Sequence, residues 1–110
     1  MTWDNASQHC LSLGGHLFEV RSQEAFDRGQ QLINEFEEQD VVFMWLGGRL
    51  NVTRDEWMWS SNSDVISRNA SFWGPETSNI GTEYECMLLF PNAYYPALCD
   101  RDHYFVCEFV

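Results

Sequence analysis

The chain is predicted to be a single α+β domain spanning residues 1–110, because two helical stripes come first and several short strand-like runs follow around a long irregular middle. Four cysteines, at 10, 86, 99 and 107, punctuate that order. A length of 110 residues suits one domain with one core, and 45% hydrophobic and 15% aromatic residues make the composition globular.

The elements follow in chain order. Trp3, Ala6, Cys10 and Leu13 recur at helical spacing, with Thr2 as N-cap and Gly14-Gly15 as the stop. His16 to Val20 reads as a short strand. Ser22 caps a second helix that carries Ala25, Phe26, Leu32, Ile33 and Phe36 on one face. Residues Glu37 to Asp40 read as a solvated turn. The period then changes: Val41 to Leu46 is a buried-strand run, and Trp57 and Trp59 alternate around Met58. Ser60 to Ser71 and Trp73 to Glu85 read as loops, Met87 to Phe90 as a strand. Phe105, Cys107 and Phe109 are expected to share one face of a closing strand.

Charge narrows the partners. Seventeen acidic residues face six arginines and no lysine, a formal net charge of -11. Such a surface repels nucleic acid, heparin and anionic lipid. No apolar run approaches the roughly 20 residues of a membrane helix, so no direct membrane insertion is expected. An even cysteine count accompanies three sequons, at Asn5, Asn51 and Asn69, and together they fit an extracellular, secreted or ectodomain setting. Met1 is followed at once by a helical stripe, so the chain is expected to start inside a longer polypeptide.

Two other chemistries have weaker support. Cys99, His103 and Cys107, with Cys86, have the residue types of a zinc site, but the segment after His103 is strand-like and the sequons favour an oxidising compartment. His9, His16 and His103 are the only histidines, and no nucleophile-elbow, phosphate-loop or metal-protease motif is present, so no enzyme is expected.

Several motifs in order resemble the C-type lectin-like domain. They are TWDNASQHC at the first helix, MWLGG at Met44 to Gly48 with Gly48 where leucine is usual, EWMWSS, YECMLLF, and the contexts of Cys99 and Cys107. The resemblance covers Thr2 to Val110 and lacks only the family's opening strand. Four cysteines allow three pairings, and spacing alone does not choose. The resemblance implies Cys10 with Cys107 and Cys86 with Cys99, and makes Trp45, Leu46, Trp57 and Trp59 core residues.

Sugar-binding members of that family hold calcium with a Glu-Pro-Asn-type triplet, a glutamate shortly before the third cysteine, and a Trp-Asn-Asp triplet. Calcium takes six to eight oxygens, so losing several ligands abolishes such a site. Here the last triplet falls on Tyr94, Tyr95 and Pro96, with both oxygen ligands gone. The loop triplet falls on Thr77-Ser78-Asn79 or Glu76-Thr77-Ser78, neither with the central proline, and Tyr84 stands at the glutamate position between Glu83 and Glu85. The resemblance therefore implies a divergent member with no metal or other cofactor, whose partner is an extracellular protein or a glycan bound without calcium. Glu76, Asn79, Glu85, Tyr94 and Tyr95 are the candidate ligand-binding residues, in a loop expected to expose Tyr94, Tyr95 and Pro96. Tyr94 also matches the family's tryptophan slot in the core. The alternative is a calcium-dependent carbohydrate-binding lectin with a degenerate site, and association with mineral or ice is a minor third class.

Overall fold

A computed structural model of the chain describes residues 1–36, 43–75 and 83–109. Helix α1 (Trp3–Ser12) starts where the Thr2 side chain accepts a hydrogen bond from the Asn5 N–H. It stops at Gly14, whose φ of +84° is left-handed, and the Gly14 and Gly15 N–H groups close onto Leu11 and Cys10 carbonyls. After β1 (His16–Leu17), helix α2 (Gln23–Phe36) is capped by the Ser22 hydroxyl, which accepts from the Ala25 N–H at 3.1 Å. The strands that follow are β2 (Met44–Asn51), β3 (Glu56–Trp59), β4 (Val65–Ile66), β5 (Cys86–Phe90), β6 (Ala93–Ala97), β7 (Tyr104–Phe105) and β8 (Cys107–Glu108).

The main sheet has the order β4-β3-β2-β5-β6, with β7 added parallel to the start of β2, and β1 pairs separately with β8. Strands β2 and β5 lie at its centre and bury both faces. Along β2, Met44 and Leu46 enter one hydrophobic cluster with Ile33, Trp57, Trp59, Met87 and Leu89. Trp45, between them, enters the other with Trp3, Ala6, Cys10, Cys86 and Leu88. Helix α2 therefore lies over one face and α1 over the other, which is why these strands read as unbroken apolar runs.

Two features pin α1. The Trp3 indole N–H donates to the Leu46 carbonyl at 2.8 Å, and the disulfide Cys10–Cys107 ties the helix to β8. The second disulfide, Cys86–Cys99, joins β5 to the segment just beyond β6. Both are the pairings that the resemblance implies. Gly47-Gly48 sits at a register shift between β2 and β5, and a Cβ on Gly48 would fall 2.6 Å from the Met87 methyl. Met87 thus fills the space that the usual leucine at position 48 would take.

Several boundaries differ from the sequence reading. The strand expected from His16 to Val20 ends at Leu17, although Phe18 and Val20 stay buried. The closing strand is two short ones, because the chain changes partner from β2 to β1 between Phe105 and Cys107. Phe109 consequently leaves the core, 60% exposed. Val65–Ile66 forms a strand inside the loop expected over Ser60 to Ser71. The turn expected at Glu37 to Asp40, and Val41 and Val42 of the expected strand, lie outside the described residues.

Candidate recognition site

Tyr94, Tyr95 and Pro96 are not in a loop; they form the middle of β6. Proline signals a break, yet here it is accommodated because β6 ends the sheet order and an edge strand need not supply every N–H. In the ladder, Leu89 pairs with Tyr94 and Leu88 with Tyr95, while Met44 and Trp45 of β2 pair with the same two leucines. Alternation then assigns the two tyrosines to opposite faces.

Tyr94 is a core residue, 1% exposed, rather than part of an exposed surface. Its ring meets Trp73 edge-on at 4.6 Å, and its backbone accepts from Gly74 N–H and donates to the Phe72 carbonyl. Burial pushes its hydroxyl pKa up to about 12, so it stays neutral. Tyr95 is half-buried and lies against Gly74, where a Cβ would fall 2.0 Å from its ring. Only glycine permits that approach.

Tyr95 begins a row of aromatic rings. Its ring meets Phe90 at 5.1 Å, Phe90 stacks on Phe43 at 5.0 Å, and Phe43 meets His103 at 4.9 Å. Phe43, Phe90, Tyr95 and Pro96 are each half-buried, and Leu88, Phe90, Tyr95, Pro96 and Ala97 line a shallow, apolar depression. The sequence reading missed Phe43, Phe90 and Gly74. The period of two that places Leu88 beside Tyr95 also brings Phe90 to that face, but only once β6 is known to pair with β5.

The acidic candidates are placed differently. Glu85 directly precedes β5 and is half-buried, its carbonyl accepting from the Leu50 N–H at 2.8 Å; Glu83 is exposed. Glu76 and Asn79 lie outside the described residues. Tyr95 and Pro96 place no carboxylate or amide side chain on β6, so that part of the site does not fit a calcium ion. Among the described residues, no group of three His, Cys, Asp or Glu side chains is positioned to hold a metal.

All four cysteines are in disulfides, which removes the zinc reading and any thiolate. His9 meets Phe105 edge-on at 5.7 Å, and His103 packs edge-on against Phe43 and Trp45. Asn5 and Asn69 are exposed, whereas Asn51 is half-buried and its side-chain oxygen accepts from the Arg54 N–H at 3.1 Å.

The buried charged side chain Glu19, 5% exposed, had no role in the sequence reading. Its carboxylate accepts from Arg21 Nε at 2.9 Å and from the N–H and hydroxyl of Ser61 at 3.2 and 3.0 Å. It fastens the turn after β3 to the segment before α2, a long-range pairing with no local signal.

The family profile described as "Lectin C-type domain" matches residues 1–109. Snaclec botrocetin subunit beta of Bothrops jararaca is 31% identical over 113 residues, covering 99% of this chain and 82% of that protein. The type-2 ice-structuring protein of Hemitripterus americanus is 32% identical over 69 residues, covering 63% of this chain and 38% of that one. Among solved structures, human lithostathine superposes with a TM-score of 0.78 at 28% identity, covering 98% of this chain and 83% of that chain.

Proposed function

The chain belongs to the C-type lectin domain family, non-enzymatic binding proteins, and from that premise we propose that it is an extracellular recognition module that binds a protein or glycan without a calcium-held sugar site. The observation that carries this reading is Tyr95. At a position where sugar-binding relatives hold an oxygen ligand, this chain has an aromatic ring packed on Gly74 and Phe90 and continued by Phe43. Half-buried aromatic rings beside an apolar depression suit a contact surface, because they offer large, rigid area at little entropic cost. The two disulfides and three sequons support an extracellular setting, and among the described residues no helix is long and apolar enough to cross a membrane.

The test is a thermal melt in millimolar calcium against one in EDTA, run beside passage over mannose and galactose resins. A ligand at a hundredfold excess over its Kd adds about 2.7 kcal/mol, which moves the melting temperature by roughly 10 °C in a domain of this size. Superimposable curves and no EDTA elution are expected. A large calcium shift with EDTA-reversible sugar binding would restore the calcium-dependent lectin reading.

A further inference from the structure

A second cleft, of about 480 Å³, lies on the opposite side of β6 from the Tyr95 surface. Val20, Trp59, Ile66 and Tyr94 line it, each no more than 5% exposed, and half-buried Phe72 adds a further wall. Phe72 is held by stacking on Phe26 at 4.7 Å. The volume falls in the ordinary range for a binding pocket, and the exposed Val65 with half-buried Ala70 and Phe72, above a floor of buried apolar side chains, gives one large apolar group a surface to meet beside the polar Arg21, Asp64 and Ser67.

Two charged side chains, Arg21 and Asp64, also line the cleft, and they are not equivalent. Arg21 donates to Glu19, Asp64, Asn62 and Ser61, with its guanidinium 5.9 Å from the centre of a Trp59 ring. Four of its five N–H groups are thus committed within the chain, and it is a poor anion receptor. Asp64 accepts from Arg21 at 2.7 Å and from Asn62 at 2.9 Å through one oxygen, Oδ2, and its side chain is 59% exposed. The Arg21 hydrogen bond, and then that of Asn62, hold its carboxyl below the usual carboxylate range, so it stays ionised. The same asymmetry extends over the molecule. All six arginines are ion-paired, to Glu19 and Asp64, Glu108, Asp4, Glu56, Asp55 and Asp100, against seventeen acids in total. The charge left over is negative.

We propose that this cleft is a second docking site, which takes one large apolar side chain of a cationic protein segment and sets the neighbouring lysine or arginine of that segment against Asp64. An apolar anchor in a pocket with an opposite charge at its edge is the usual division of labour at an interface: the anchor supplies affinity and the charge supplies selectivity and approach. The site is independent of the Tyr95 surface, since adjacent residues of one strand serve opposite faces.

The test titrates the intact, 15N-labelled, disulfide-bonded chain with N-acetyl-Phe-Arg-amide, with the Phe-Glu and Gly-Arg amides as controls. Saturable shifts are expected at the Trp59 indole N–H and the amides of Ser67 to Phe72, with half-saturation near about 1 mM. The Phe-Glu amide should bind at least about fivefold more weakly, as loss and reversal of one exposed charge contact predicts. The Tyr95→Ala variant should leave the titration unchanged, and Ala70→Trp, which narrows the cleft, should abolish it. Should Ala70→Trp fail to fold, Asp64→Asn serves instead, and the preference for Phe-Arg over Phe-Glu should shrink in it. Equal binding of Phe-Glu and Phe-Arg amides, shifts centred on Tyr95 and Phe90, or no saturable shift up to about 10 mM would each overturn the proposal.

Discussion

Adjacent tyrosines on β6 give a sharp test of the site. Tyr94 sits in the larger hydrophobic cluster, edge-on to Trp73 at 4.6 Å and 6.2 Å from Phe72. Truncating a buried aromatic to alanine costs about 3–5 kcal/mol, the transfer term plus the cavity left behind. Against a total stability of about 5–15 kcal/mol, that is a large fraction. At about 4 °C or more per kcal/mol, Tyr94→Ala should melt at least about 12 °C below the parent. Tyr95 is half-buried, and its ring touches Gly74 and Phe90 at the sheet edge. Losing that pair and part of its apolar area costs about 1–2 kcal/mol. Circular dichroism melts under non-reducing conditions measure both, and a binding assay with a partner that docks on the Tyr95 surface should reverse the order: Tyr95→Ala abolishes that binding while folding persists. If Tyr95→Ala melts as low as Tyr94→Ala, the assignment of the two rings to opposite faces is wrong, and with it the proposed surface.

Other outcomes follow from the same geometry. Replacing both Cys10 and Cys107 by alanine opens a loop of sequence separation 97, against 13 for Cys86 and Cys99. The chain-entropy account predicts losses of about 4.7 and about 2.9 kcal/mol respectively, so urea midpoints should fall further for the first pair; equal midpoints would contradict it. Glu19→Leu strands Arg21 Nε and both Ser61 donors and should cost about 2–4 kcal/mol, whereas a neutral melt would show that the network contributes nothing net. Burial lowers the His103 pKa against the opposing pull of Asp102. The unfolded chain therefore protonates before the folded one, and stability should drop as pH falls from about 6.5 toward the lower folded value. Melts of the parent and His103→Gln between about pH 7.5 and pH 5 should converge on acidification; parallel curves would remove His103 from the account.

Local chemistry was readable where one segment decides it alone. Thr2 and Ser22 as caps, Gly14 as the left-handed stop, and the stripes Trp3, Ala6 and Cys10 of α1 and Phe26, Leu32 and Ile33 of α2 were visible, because each depends on contacts within about one helical turn, whereas Leu13, expected on the first stripe, lies past the helix end and is 57% exposed. The family resemblance, carried by several motifs in order, implied the disulfide partners that the structure shows. Strand β6 was not legible: its Tyr-Tyr-Pro core has a turn-like signature, and only pairing with β5 at the sheet edge makes it a strand. Phe105, Cys107 and Phe109 alternate correctly, yet the chain exchanges β2 for β1 midway, which period alone does not record.

The candidate site divides along the same line. By itself, the sequence determined that positions 95 and 96 hold tyrosine and proline rather than carboxylate or amide side chains, that the balance of charge is acidic, and that the cysteines come in an even set, since identities and counts need no coordinates. The tertiary structure alone decided that Tyr94 is core and Tyr95 is surface, that Phe90 and Phe43 extend the aromatic row, and that Arg21 is committed to Glu19 and Asp64. The links from Phe43 to Phe90 and from Arg21 to Asp64 join residues tens of positions apart, and side-chain direction across such distances is set by which strands pair and in what register.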